Sequence, residues 1–246
     1  MTVTDSKGAF AKDTISYTAI NVDPKMLYLN EKMWYNSTDS YFKGHKAFDF
    51  QKRDPQLPNV LLIGNSISIG YTPFVRKALA GKCNVYRIPT NGGDTKKCLA
   101  EFNKWIGDNN WDIIHFNFGL HDLKRLIDNK LNSKGDHVNS PKEYKKNLEE
   151  IVSLLKQKTN AKLIWASTSV VPENAAGRIK GEEIEYNKIA EKIMVKHHIP
   201  IDDQFTLTVN FPEDQLPENV HFKASGVKRQ GEQAAAIILK ILEGGL

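Results

Sequence analysis

The sequence predicts an α/β protein built on a five-stranded parallel sheet, preceded by an N-terminal arm. Three observations predict it. From Pro58 onward, short apolar runs alternate with longer stretches of helical spacing, the pattern of βαβ units with right-handed crossovers. The first run, "NVLLIG" (59–64), is continuously apolar and ends in glycine, as a strand covered on both faces does. The chain has 246 residues, 40% of them hydrophobic, which suffices for one sizeable core.

Each element has its own signal. After the first strand, "TPFVRKALAG" (72–81) has helical spacing with Pro73 near its start and glycine after its end. "CNVYRIP" (83–89) alternates and stops at Pro89, so it reads as the second strand. "DTKKCLAEFNKWI" (94–106) sets Leu99, Phe102 and Ile106 on one helical face, with Asp94 at the N-cap. "DIIHFNFG" (112–119) is a third strand. "SPKEYKKNLEEIVSLLKQKT" (140–159) is a long helix with Ser140 as cap and Pro141 at its first position. "KLIWASTS" (162–169) is a fourth strand, "GEEIEYNKIAEKIMVKHH" (181–198) a helix and "IPIDD" (199–203) a short fifth strand. "ASGVKRQGEQAAAIILKILEGG" (224–245) is a last helix closed by glycines. Residues 1–57 show no sustained period and carry Tyr28, Trp34, Tyr35, Tyr41, Phe42, Phe48 and Phe50. They read as an extension, partly strand, packed on the main domain of residues 58–246; the alternative is that Trp34 lines a sugar site.

Composition removes several classes of function. The net charge of +5 is mild and its basic residues are scattered, without the dense stripe of a nucleic-acid-binding surface. Cys83 and Cys98 lack metal-binding spacing and read as buried free thiols. No run approaches the ~20 apolar residues of a membrane span. The opening "MTVTDSKGAFAKD" has no apolar signal-peptide core, which leaves the compartment open.

In open parallel sheets, ligands bind beyond the carboxyl ends of the strands. The residues that follow the predicted strands are Asn65 and Ser66, Asn91 to Thr95, Gly119 to Asp122, and Ser167 to Val171. Ser66 or Ser68 could simply cap a helix; alternatively Ser66 is a nucleophile at a strand end. Acyl transfer needs a nucleophile, a base, an orienter for the base and donors to an oxyanion. Ser66 could be the nucleophile and His221 its base, since imidazole titrates near neutrality. Glu218, three residues before His221, could orient the ring. The backbone N–H groups of Ser66 and of a glycine after the second strand, and the side chain of His121, could face the oxyanion. "NGGDT" could equally supply only a turn and a helix cap, and His121 could be a satisfied core histidine. His115, His197 and His198 read as structural or solvent-facing.

The blocks "GNS" (64–66), Gly93 in "GGDT", "GLHD" (119–122) and "ENVH" (218–221) together resemble, in order and spacing, the SGNH (GDSL-type) hydrolase superfamily. The resemblance covers about residues 58–243 and implies a flavodoxin-like three-layer fold with esterase activity, O-acetyl esters of carbohydrates first among its substrates. It implies Ser66, His221 and Glu218 as catalytic residues and Ser66, Gly93 and His121 as the oxyanion hole. Asn65, Asn91 and Lys124 would line the substrate. No metal or organic cofactor is implied, and the partner is a small-molecule or glycan ester. Three positions depart from the family pattern. Asn65 stands for the usual Asp, His121 for an Asn whose amide donates to the oxyanion, and Glu218 for an Asp. Glu218 could therefore leave a Ser–His dyad, with Asp214 a weaker substitute. The basic residues Lys96, Lys97, Lys124 and Arg125 follow the blocks and could attract an acidic substrate. Lysophospholipid or thioester hydrolysis fits the same blocks, as does a protein that only binds a glycan or a partner. A nucleotide-binding α/β protein is disfavoured, because Gly92 and Gly93 lack the G-x-G-x-x-G spacing.

Overall fold

The computed structural model describes the backbone of Val3–Thr4 (β1) and Phe10–Ala11 (β2), which pair antiparallel, and residues 24–107 and 109–245. The remainder of the extension lies outside the described residues. Residues 24–57 form α1 (Glu31–Ser37) and two short 3-10 turns. The main domain then runs β3 (Asn59–Ile63), α2 (Ser66–Ala78), β4 (Asn84–Arg87), α3 (Thr95–Ile106) and β5 (Ile113–Phe116). A small antiparallel sheet of β6 (Arg125–Ile127), β7 (Lys130–Leu131) and β8 (Asp136–His137) follows. The chain continues through α4 (Pro141–Lys158), β9 (Lys162–Ala166), α5 (Glu182–Lys196), β10 (Ile201–Asp202), α6 (Gln204–Asn210) and α7 (Ala224–Leu242).

The five main strands form one parallel sheet in the order β10-β9-β5-β3-β4. The chain starts in β3, steps to one side for β4, and then crosses to β5 and outward. The order therefore reverses at β3, and the crevice at its carboxyl end is where such sheets bind ligands.

Both faces of the sheet are covered. Along β3, Leu61 and Ile63 join a core with α3, α4 and α5, whereas Val60 and Leu62 point to α2 and α7. This two-sided burial explains the unbroken apolar run. The extension adds to the first of these cores. Leu27, Tyr28, Trp34, Ala47 and Phe48 are buried in it, and the Tyr28 hydroxyl donates to Trp105 O at 2.6 Å. Trp34 is 3% exposed and donates from Nε1 to Phe48 O at 2.6 Å, so it is a packing residue and lines no sugar site. Cys83 and Cys98 are free and buried.

Most helices start where their signals stand. Asp94 accepts from the Lys96 and Lys97 N–H groups. Ser140 and Glu143 form a reciprocal capping box, with Pro141 in the first turn. The first helix differs from expectation. It begins at Ser66, six residues before the expected start, and carries Pro73 in its interior. A proline inside a helix removes one backbone hydrogen bond, which is why the sequence pattern places the start too late. The small sheet β6–β8 was also not expected. Its turn has Asp128 and Asn129 at φ 50° and 59°, the left-handed pair that a tight hairpin favours.

Among the described residues, no helix is long and apolar enough to cross a membrane, and no cluster of His, Cys, Asp or Glu could hold a metal ion.

Candidate active site

Ser66 is the first residue of α2 and follows β3 by two residues. Neither serine caps the helix. Asn65 does, with Oδ1 accepting from the Ile67 N–H at 3.0 Å. Ser68 donates its hydroxyl to Asn65 O at 2.8 Å. The Ser66 hydroxyl is thus spared from capping, and it lies 2.8 Å from His221 Nε2. Ser66 is half-buried and His221 is open to solvent. Their separation of 155 positions in sequence is bridged by the sheet, which brings the loop before α7 over the start of α2.

The other ring nitrogen of His221 has a partner that sequence reasoning missed. Nδ1 lies 2.7 Å from Asn219 Oδ1, and the same oxygen accepts from the His221 backbone N–H at 3.0 Å. Glu218, the expected orienter, does not fill this place. It stands at φ 54°, a left-handed turn that swings its side chain outward, where its carboxylate accepts from Asn174 Nδ2 at 3.4 Å. Asp214 is also engaged elsewhere. It is buried, accepts from Arg229 Nε at 2.8 Å and takes the hydroxyl of Ser225. An Asx turn of Asn219 onto His221 was the available signal; spacing taken from the family's D-x-x-H pattern pointed one residue too early.

Asn65 is a correction to the expected substrate-binding set. It is 1% exposed, and its Nδ2 donates to Asn117 Oδ1 at 3.2 Å; both ends of its amide are occupied by the fold. Asn91 is turned inward as well, with Oδ1 accepting from the Gly93 N–H at 3.0 Å. That bond also corrects Gly93, whose N–H is occupied and does not stand free for an oxyanion. Gly93 takes φ 64° and serves the turn. Gly92 donates to Gly64 O at 2.9 Å, and a Cβ on Gly92 would meet that oxygen at 2.8 Å, so the loop can lie this close to the nucleophile strand only with glycine there.

His121 follows β5 by five residues in the Gly119–Asp122 loop. Gly119 adopts φ 145°, and a Cβ there would overlap the Thr168 hydroxyl. Neither ring nitrogen of His121 has a hydrogen-bond partner among the described residues. Burial, followed by the cations of Lys124 and Arg178, pushes the His121 pKa down to about 3, so the ring is neutral and carries a single N–H. Asp122, which could have held that ring, is directed elsewhere. Its Oδ1 accepts from Thr95 N at 3.0 Å, Thr95 Oγ1 at 2.5 Å and Asn139 Nδ2 at 2.8 Å. It ties the loop to the start of α3 and to the segment before α4.

Arg178, in the loop between β9 and α5, is the second residue that sequence reasoning missed. Its Nε donates to Leu120 O at 3.0 Å and its Nη1 to Ala176 O at 3.2 Å. It lies close enough to both histidines to depress their pKa values. For His221, burial is the larger cause and Arg178 the second. Of the four basic residues expected at the mouth, two are neutralised. Arg125 pairs with Glu182 through Nη2 at 2.5 Å, and Lys96 with Glu143 at 3.0 Å. Lys97 donates to Asn91 O at 2.8 Å. Lys124 has no side-chain partner among the described residues. His115 is a core residue, 2.9 Å from Asp202.

No family model and no curated protein matches the sequence. Solved structures match the fold. A lipase/acylhydrolase from Enterococcus faecalis superposes with a TM-score of 0.63 at 20% identity, over 74% of this chain and 95% of the other. The acetyl xylan esterase AlAXEase gives 0.60 at 14% identity, over 73% and 99%. Axe2, an acetylxylan esterase from Geobacillus stearothermophilus, gives 0.59 at 16% identity, over 74% and 93%.

Proposed function

We propose, for a chain with the fold of the SGNH hydrolases, that it is a serine esterase acting through an acyl-enzyme on Ser66. The observation that carries this reading is the 2.8 Å approach of Ser66 Oγ to His221 Nε2. With Nδ1–H donating to Asn219 Oδ1, the Nε2 lone pair faces the serine hydroxyl, which donates to it.

Each step follows from that geometry. Ser66 Oγ attacks the ester carbonyl carbon while its proton passes to His221 Nε2. The carbonyl π pair moves onto oxygen. The Ser66 N–H, free at the first position of α2, and the His121 ring N–H supply donors to this oxyanion. A helix N-terminus adds positive potential at the same place. The intermediate collapses, the C–O bond to the alcohol breaks, and His221 returns its proton to the leaving oxygen. Water then attacks the acyl-enzyme, with His221 again as base, and the acid departs as Ser66 regains its hydrogen.

Asn219 differs from a carboxylate in this scheme. It fixes the tautomer and the ring plane but brings no charge to balance the imidazolium. O-acetyl groups on carbohydrate are the leading substrate class, supported by two acetyl xylan esterases among the fold neighbours. The test is turnover of 4-nitrophenyl acetate, covalent labelling of Ser66 by a fluorophosphonate, and acetate release from acetylated xylan. No turnover and no labelling of Ser66 would sink the reading.

A further inference from the structure

Two cations flank His121 in the fold: Arg178 is held on Leu120 O, and Lys124 follows His121 by three residues. Arg125, Lys96, Lys180 and Arg229 each face a carboxylate within 4.0 Å. Arg178 and Lys124 face none among the described residues, yet both are half-buried. Arg178 is held by two backbone carbonyls, Leu120 O and Ala176 O, which fix its guanidinium and leave Nη2 without a partner among the described residues. Lys124 stands four residues after Leu120, whose carbonyl holds Arg178; burial, and after it the Arg178 charge, lowers the Lys124 pKa. The nearby acids are spent elsewhere, Asp94 on the N–H groups of Lys96 and Lys97 and Asp122 on Thr95 and Asn139. A held guanidinium and a nearby ammonium, both partly removed from water and neither in contact with a carboxylate among the described residues, are unfavourable in the free protein. An arriving anion offsets that cost and gains charge-assisted hydrogen bonds from the guanidinium.

We infer that Arg178 and Lys124 form an anion subsite, so that the preferred substrates are esters bearing a carboxylate near the scissile bond. This rests on the esterase reading and adds the charge of the substrate to it. The carboxylate can sit on the acyl or on the alcohol side, and two substrate pairs separate these sources. The acyl pair is 4-nitrophenyl hydrogen succinate against 4-nitrophenyl acetate; the alcohol pair is 4-acetoxybenzoate against its methyl ester.

In one pair, kcat/KM for the anionic ester should exceed that for the neutral one by about tenfold, after division by the hydroxide rates. The preference should reside in KM and shrink in high salt. Arg178→Gln and Lys124→Gln should each reduce it severalfold. Lys124→Gln guards against misfolding, because that side chain holds nothing in the fold. A ratio near one in both pairs, or a preference that both variants retain, overturns the inference while Ser66-dependent hydrolysis of the neutral esters keeps the esterase reading intact. If no ester is turned over, the esterase reading fails and binding decides. Monomethyl succinate should then shift the His121 and His221 ring resonances of Ser66→Ala protein where dimethyl succinate does not. Equal shifts, or none, overturn the subsite.

Discussion

Asn219 Oδ1 accepts from the backbone N–H of His221 at 3.0 Å and lies 2.7 Å from the ring Nδ1 of the same residue. The backbone donor fixes which end of the amide faces the ring. The oxygen, and not the NH2 group, meets Nδ1, so the ring must carry its proton there and present a lone pair to Ser66. Asn219→Ala should therefore lower kcat by about 10²–10⁴ with little change in KM, the upper figure being that of a triad orienter used in full. Glu218→Gln should change turnover by less than about threefold. Steady-state kinetics of the two variants side by side check this, and the reverse ranking would return Glu218 to the mechanism.

Removing the nucleophile is the largest change expected. Ser66→Ala should lower turnover by about 10⁶ and leave the thermal midpoint near that of the parent, because the Ser66 side chain neither caps α2 nor packs in the core. Wild-type turnover by the pure variant would exclude Ser66.

In the proposed mechanism, His121 supplies a neutral N–H where the resembled family uses an amide. His121→Ala should lose about 10²–10³ in kcat at nearly constant KM, the cost of one oxyanion donor. His121→Asn should recover part of that loss. Unchanged kcat in His121→Ala would remove the ring from the oxyanion site.

The pH profile tests the electrostatics of His221. The base must be neutral to accept a proton, so kcat/KM rises with pH through the His221 pKa, which burial and Arg178 hold below the usual 6.5. Activity should thus persist into mildly acidic solution. Arg178→Gln removes a nearby cation and Asn219→Asp adds an anion; each favours the imidazolium and should move the acidic limb to higher pH. A limb that stays in place in both variants would mean that His221 does not govern it.

Asp122 is a stability residue. Its loss in Asp122→Ala leaves the Thr95 N–H, the Thr95 hydroxyl and Asn139 Nδ2 without their buried acceptor, which should cost about 3 kcal/mol in urea unfolding. Burial raises its pKa from 3.8 to about 6. The folded state then holds the proton more tightly than the unfolded state does. The contribution from protonated Asp122 is complete below 3.8 and fades as pH rises through about 6. Asp122→Asn keeps the accepting oxygen and should flatten stability across that window.

Periodicity determined the alternation of strands and helices in the main domain. The runs at 59–64, 83–89, 112–119, 162–169 and 199–203 all contain strands of the parallel sheet, and at 59–64 burial on both faces accounts for the unbroken apolar composition. Local chemistry likewise determined the caps at Asp94 and Ser140. Ser66 and His221 could be singled out because they flank predicted elements in a family-like order. Their 2.8 Å approach required the sheet to close the long chain between them. What sequence could not decide was where side chains point. Glu218 and Asn219 are neighbours in the chain, and a single left-handed φ at Glu218 sends the carboxylate to Asn174 and leaves the amide on His221. Asn65, Asn91 and Gly93 stand where spacing predicted, but the fold's own unsatisfied N–H and amide groups claim their polar atoms. Arg178 had no local signal at all; it reaches the histidines only because the loop after β9 folds back onto Leu120 O. Element identity follows from burial patterns written in the local sequence. The partner of a polar side chain is set by competition among hydrogen-bonding groups that only the tertiary structure brings within reach.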